Sequence, residues 1–156
     1  MIQIRNMETA DVSAVAALEE AIFSDAWSEN SILGTLENRF SIAYVAERDG
    51  QLAGYFLGTQ LFEEAEVYRI AVDPLYRKQG VGNALMEAFM QESVKRGATD
   101  WSLEVRAKNV PAIALYESFG YRTESVRKNY YHNPEEDAAI MWCRVGNNSP
   151  SKESEK

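Results

Sequence analysis

Two stretches of the chain hold residues whose types and spacing can do chemistry. The first is Arg77-Lys78-Gln79-Gly80-Val81-Gly82, which follows an apolar run and a turn and opens an amphipathic stretch. Glycines let a backbone approach a ligand closely, while the unpaired amides and dipole at a helix start favour anions. Arg77 and Lys78 add longer-range positive charge. The segment is therefore a coherent pyrophosphate cradle. It lacks the spacing of the nucleotide P-loop and of the dinucleotide fingerprint, so ATP and nicotinamide chemistry lose their local support. A tight, soluble loop is the plainer alternative for the same residues.

The second stretch pairs a carboxylate with a phenol. Glu104 shares the polar parity of Ser102 and Arg106, opposite Trp101, Leu103 and Val105, so it can face a cleft without breaking a core pattern. It can equally be a solvated carboxylate paired with Arg106 or Lys108. Tyr116 follows Asn109 at a spacing of about two helical turns and can project its hydroxyl from a helix. A phenol titrating near 10 stays protonated at neutral pH, suited to donating a hydrogen bond or a proton; a core-boundary tyrosine is the other reading. Cys143 sits in an apolar run and reads as a packing thiol. His132 lies in a proline-bounded segment and reads as an exposed titrating group.

The elements that must position these groups follow from periodicity. Ile2 and Ile4 alternate as a short strand, and Thr9 and Asp11 precede the helical spacing Val12, Val15, Leu18, Ile22. Ser28 is placed to cap a second helix, with Trp27 and Ile32 positioned as a hydrophobic staple. From Ser41 to Phe62 two strands flank Asp49-Gly50, a strong hairpin signal. After an acidic corner at Glu63 to Glu66, Val67 to Val72 reads as a strand stopped by Asp73-Pro74. Val81, Leu85, Ala88 and Phe89 form a helical stripe running toward Gly97, and Trp101, Leu103 and Val105 return as a strand.

Asn109 caps a further short helix that stops at Gly120. Arg122 to Lys128 and Ala138 to Trp142 then make an antiparallel pair joined by a surface loop, Asn129 to Pro134. The expected class is α/β, with one domain over residues 1–145 and an eleven-residue polar tail, 146–156, that is frayed.

Composition narrows the function. With 46% hydrophobic residues in 156, the chain suits one core, and no repeat or interdomain linker divides it. Sixteen lysines and arginines against 24 aspartates and glutamates give a net charge of -8, which opposes binding to nucleic acid or an anionic membrane and accommodates a basic partner. One cysteine and one histidine are too few for a convincing metal site. With no signal segment or long apolar run, a cytoplasmic protein is expected.

The segment Ile70-Ala71-Val72-Asp73-Pro74-Leu75-Tyr76-Arg77-Lys78-Gln79-Gly80-Val81-Gly82 resembles the coenzyme-binding signature of the GNAT family of N-acetyltransferases. Leu103-Glu104-Val105-Arg106, then Asn109, Ala112-Ile113-Ala114-Leu115-Tyr116 and Phe119-Gly120-Tyr121, is similar to the RimI branch of that family, the ribosomal-protein alanine acetyltransferases. The resemblance runs from Ile2 through the last predicted strand. It implies the GNAT acyl-CoA N-acyltransferase fold, a mixed, mostly antiparallel sheet with a central, splayed parallel strand pair and flanking helices.

By the same resemblance the co-substrate is acetyl-CoA. Ile70, Ala71 and Val72 lie beside the acetylpantetheine arm, Arg77, Lys78, Gln79, Gly80, Val81, Gly82 and Asn83 lie around the pyrophosphate, and Asn109 lies further along. A splay or bulge at Ile70 to Val72 would turn an amide toward the acetyl carbonyl. Glu104 is then the general base, acting through water, and Tyr116 the general acid. The implied acceptor is the N-terminal alanine of small-subunit ribosomal protein number eighteen. Trp27, Ser28, Tyr130 and Tyr131 would line the acceptor entrance, or pack structurally. The chain carries Asp25-Ala26-Trp27 where the branch commonly has aromatic-proline-tryptophan. A broader N-terminal or small-amine acetyltransferase, and a non-catalytic coenzyme-binding module, are the alternatives.

Overall fold

In the computed structural model, which describes residues 1–145, the alternating N-terminal segment forms β1 (Ile2–Asn6), antiparallel to β2 (Ser41–Arg48). β2 turns through Asp49 and Gly50 into β3 (Gln51–Leu61). Both turn residues take positive φ, 53° and 79°, as a two-residue hairpin requires. α1 (Val12–Ile22) and α2 (Glu29–Glu37) precede this hairpin in sequence. Ser28 caps α2, its Oγ accepting the Ser31 N–H at 3.1 Å, and Ile32 is buried in the cluster against which Trp27 packs, as the staple predicts.

The strand-helix-strand unit consists of β4 (Glu64–Val72), α3 (Val81–Lys95) and β5 (Asp100–Arg106). It is followed by α4 (Val110–Ser118), β6 (Arg122–Tyr131) and β7 (Glu136–Arg144). The seven strands form one sheet in the order β1-β2-β3-β4-β5-β7-β6, and β4 with β5 is its one parallel pair. This is the expected mixed, mostly antiparallel α/β sheet.

Alternation along β3 explains why both faces are covered. Tyr55 and Leu57 point into a cluster with α1 and α2, while Phe56 points to the other side and packs on Phe89 of α3. Gly54 lets α3 start close to the sheet: a Cβ there would lie 2.6 Å from the Ala71 carbonyl oxygen and 3.0 Å from Val81 Cγ1.

The parallel pair splays. β4 and β5 pair only from Glu64 opposite Asp100 to Val67 opposite Leu103. At the next residue β4 bulges: Gly58 faces Val67 and Leu57 faces Arg69, leaving Tyr68 as the extra residue. Beyond it β4 stays with β3 and leaves β5, opening a wedge. The bulge thus falls at Tyr68, just before the Ile70 to Val72 segment where the sequence reading places it.

Two further expectations shift. Asn129, Tyr130 and Tyr131 are on β6 rather than in a surface loop, because Tyr131 pairs with Glu136 and shortens the turn to residues 132–135. β4 begins at Glu64, so most of the acidic corner lies inside the β3–β4 hairpin, which reverses at Phe62 with φ 57°. Among the described residues no helix is long and apolar enough to cross a membrane. The tail at 146–156 lies outside the described residues.

Candidate active site

The wedge between β4 and β5 is a cavity of about 810 Å³. Its floor is the β4 edge from Val67 to Val72, where alternate main-chain N–H and C=O groups past the bulge face open space instead of a partner strand. Residues 22–25 form one wall, Glu104 to Arg106 of β5 and Tyr131 another, and α4 closes the side with Leu115 and Tyr116.

The turn expected to cradle an anion, Arg77 to Gly82, lies at one end. Gly80 is the N-cap of α3 in the left-handed region, φ 87°, and Lys78 is also left-handed at φ 63°. The N–H groups of the following first turn have no intrahelical partners. A Cβ on Gly82 would lie 3.3 Å from Leu115 Cδ2 and 3.7 Å from Val72 Cγ2, so a side chain there would press on Leu115. Arg77, Lys78 and Gly82 line the cavity, together with Ile70, Ala71, Val72 and Asn109. Gln79, Gly80, Val81 and Asn83 do not. Gln79 bonds the Arg48 guanidinium, and the Val81 side chain is buried in the core under α3. Asn109 also caps α4, its Oδ1 accepting the Ala112 N–H at 3.2 Å.

Glu104 and Tyr116 both line this cavity. Glu104 is half-buried, its Oε2 lying 3.6 Å from Arg127 Nη1, and it is hydrogen-bonded by the Tyr130 hydroxyl. The cation partner is therefore on β6. Arg106 is occupied elsewhere, donating to the carbonyls of His132 and Pro134 at 3.0 and 2.9 Å, and so pins the β6–β7 turn beside the cavity. Burial pushes the Tyr116 phenol far above its ordinary value and keeps it protonated. Burial, then the Glu104 charge, pushes Tyr131 up to about 12. The hydrogen bond to Glu104 and burial raise Tyr130 as well.

The remaining candidates fall outside the wedge. Trp27 packs on Tyr68 with ring centroids 5.9 Å apart, and both line a separate hollow of about 470 Å³ beside α2. Ser28 caps α2 and Tyr130 stacks on Arg127. Tyr131 is the one of the four proposed entrance residues that reaches the cavity. His132 and Cys143 do not line it, and Cys143 is buried in β7.

The chain matches the family model described as acetyltransferase (GNAT) family over residues 6–121. It belongs to the GNAT family. Within that family it is 38% identical over 143 residues to the [ribosomal protein bS18]-alanine N-acetyltransferase of Escherichia coli K12, covering 90% of this chain and 96% of that one. The crystal structure of the ribosomal-protein-S18-alanine N-acetyltransferase from Escherichia coli superposes with a TM-score of 0.86 at 36% identity, covering 95% of this chain and 98% of that one. Ard1 from Thermoplasma volcanium superposes with a TM-score of 0.84 at 27% identity, covering 92% and 97%. The GNAT chain is thus RimI-like along almost its full described length.

One polar network in this GNAT chain escaped sequence reasoning. Glu19 of α1 is fully buried, and its carboxylate accepts the Tyr55 hydroxyl, the Trp27 N–H at 3.0 Å and the Arg69 guanidinium at 2.7 Å. Arg69 also donates to the Asp25 carbonyl at 3.0 Å and carboxylate at 3.2 Å, and its guanidinium lies 3.8 Å from the Phe23 ring centroid. A signal existed: Glu19 lies four residues after Val15 on the buried stripe of α1, where a carboxylate requires a partner.

Proposed function

We propose that this GNAT chain is a cytoplasmic enzyme that transfers the acetyl group of acetyl-CoA to a protein N-terminal α-amine, that of the alanine opening ribosomal protein bS18. One observation carries the proposal: a chain 38% identical over 143 residues to a bS18-alanine acetyltransferase places Glu104 and Tyr116 on the walls of one cavity. The cavity suits the donor chemically. Arg77, Lys78 and the first turn of α3 offer positive charge and free amides to a pyrophosphate, and the apolar flank of Val72 and Leu115 offers a dry bed to a slim arm. Acetyl-CoA supplies an acyl thioester whose sulfur must leave. Main-chain amides on the open edge of β4 are the groups placed to hydrogen-bond an acyl oxygen.

Glu104 receives the proton of the attacking amine. A carboxylate ordinarily titrates near 4.3 and an α-amine near 7.7, so removal runs uphill with Glu104 as the final holder, and a water relay through which the proton passes on to solvent is the better path. The same numbers favour an α-amine over lysine: a lysine near 10.4 is neutral about 400-fold less often at neutral pH.

Tyr116 donates its hydroxyl to the departing sulfur. A thiol titrates near 8.5, while the buried phenol lies well above 10. The hydrogen bond to the sulfur is therefore the larger part of this acid role, and complete proton transfer follows only as water refills the phenol. The net charge of -8 suits a basic ribosomal acceptor.

The test is to incubate the purified chain with acetyl-CoA and unmodified bS18 and locate the product by intact-mass and fragment mass spectrometry. One acetyl group on the alanine α-amine is expected. Lysine acetylation alone, or no product, contradicts the proposal.

A further inference from the structure

We infer that Arg69 and Glu19 form a clamp that sets the width of the acceptor entrance, so that Arg69 is a positioning residue for acceptor selection; this rests on the proposed α-amine acetyltransferase activity. Residues 23–28 connect α1 to α2 without a helix or strand ladder to hold them, yet residues 22–25 form a wall of the cavity. What holds this wall is Arg69. Its guanidinium joins the buried Glu19 carboxylate, the carbonyl and carboxylate of Asp25, and the face of Phe23, while Glu19 also takes the Trp27 N–H. Three residues of one connection are thereby tied to a single ion pair, Phe23 and Asp25 to Arg69 and Trp27 to Glu19.

The place of that side chain in the sheet gives the clamp its function. Arg69 is the first residue after the bulge at Tyr68, lies on the cavity floor and directly precedes its Ile70 to Val72 part. It therefore couples the floor, where the acyl group would rest, to the wall that an incoming first residue must pass. A wall fixed this way excludes large first side chains by position. A wall released from Arg69 would move outward and admit them. The planar fork of arginine matters here, since bonding Glu19 and Asp25 while stacking on Phe23 is a geometry lysine does not reproduce.

Removing one partner alone would strand a buried charge, so the test uses the neutral pair Glu19→Gln with Arg69→Met, which leaves neither charge behind. Steady-state kinetics on peptides differing only in alanine or leucine at the first position would be measured beside acetyl-CoA titrations. Position-dependent discrimination of side chains runs from tens to a few hundred-fold. The variant is therefore expected to raise the peptide KM about tenfold and cut the alanine-to-leucine preference about fivefold or more, with the acetyl-CoA KM unchanged. Arg69→Lys is expected to lose most of the preference too.

A folded variant with the wild-type preference overturns the clamp and leaves the acetyltransferase proposal standing. A wild-type chain that acetylates no peptide α-amine overturns both. Should the double variant fail to fold, Asp25→Ala decides: its side chain is 42% exposed, and a twofold to threefold fall in preference supports the clamp while an unchanged preference overturns it.

Discussion

Glu104 Oε2 lies 3.6 Å from Arg127 Nη1, so the carboxylate assigned as base is paired across the sheet with a cation on β6. The contact is open to solvent, with 58% of the arginine side chain exposed, and in the proposed mechanism the acceptor's own amine approaches the same carboxylate.

Arg127→Gln is therefore expected to cost under about 1 kcal/mol of stability, as exposed pairs do, and to move the melting temperature by no more than about 3 °C. Removing a competing cation should lower the peptide KM about twofold to threefold. Thermal melts and peptide titrations check both, and a raised KM contradicts the competition.

Glu104→Gln keeps the shape of the side chain and removes its capacity to accept a proton. A positioned base contributes about 10²- to 10⁴-fold, so kcat should fall within that range while acetyl-CoA affinity stays constant. Isothermal titration beside initial-rate measurements separates the two effects. Near-normal turnover would remove Glu104 from the chemistry.

Tyr116→Phe is expected to lower kcat about tenfold or more with acetyl-CoA binding preserved, since it deletes one donor in a dry site. Because burial holds this phenol above its ordinary value, Tyr116 stays protonated through pH 9. The wild-type rate should rise through the acceptor α-amine value near 7.7 and then level, with no falling limb from Tyr116 below pH 9. Normal turnover of the phenylalanine variant contradicts the acid assignment.

At the other end of the sheet, the Arg5 guanidinium grips Asp11 with two hydrogen bonds of 2.8 Å and holds its carboxyl below the ordinary value. A depressed carboxylate contributes stability that is fully present above its unfolded value near 3.9 and is lost as pH falls through the folded value. Urea midpoints measured from pH 6 down to pH 2 should fall less steeply for Asp11→Asn than for the wild type, most clearly below pH 4. Parallel slopes would show that this pair plays no part in acid unfolding.

Much of the fold was legible because its elements carry local periods. Asp49-Gly50, Ser28 and Asn109 announce a hairpin and two caps through the chemistry of single residues, and the parity of Ser102, Glu104 and Arg106 marks the less buried face of β5, from which Glu104 and Arg106 reach the cavity while Val105 of the other parity also lines it. The bulge at Tyr68 was not legible, since it depends on how β4 is shared between β3 and β5. The Glu19–Arg69 pair joins residues fifty positions apart, and no local pattern records such a partner. Asn129 to Tyr131 misled because Asn133 and Pro134 look like the end of a loop that is in fact only a short turn.

The most direct measurement offers acetyl-CoA and a series of peptides differing only in their free first residue, and locates the added acetyl group by fragment mass spectrometry. The account predicts modification of the α-amine, with alanine preferred over larger first residues. Predominant acetylation of internal lysines, or modification only of a non-peptide amine, would contradict it.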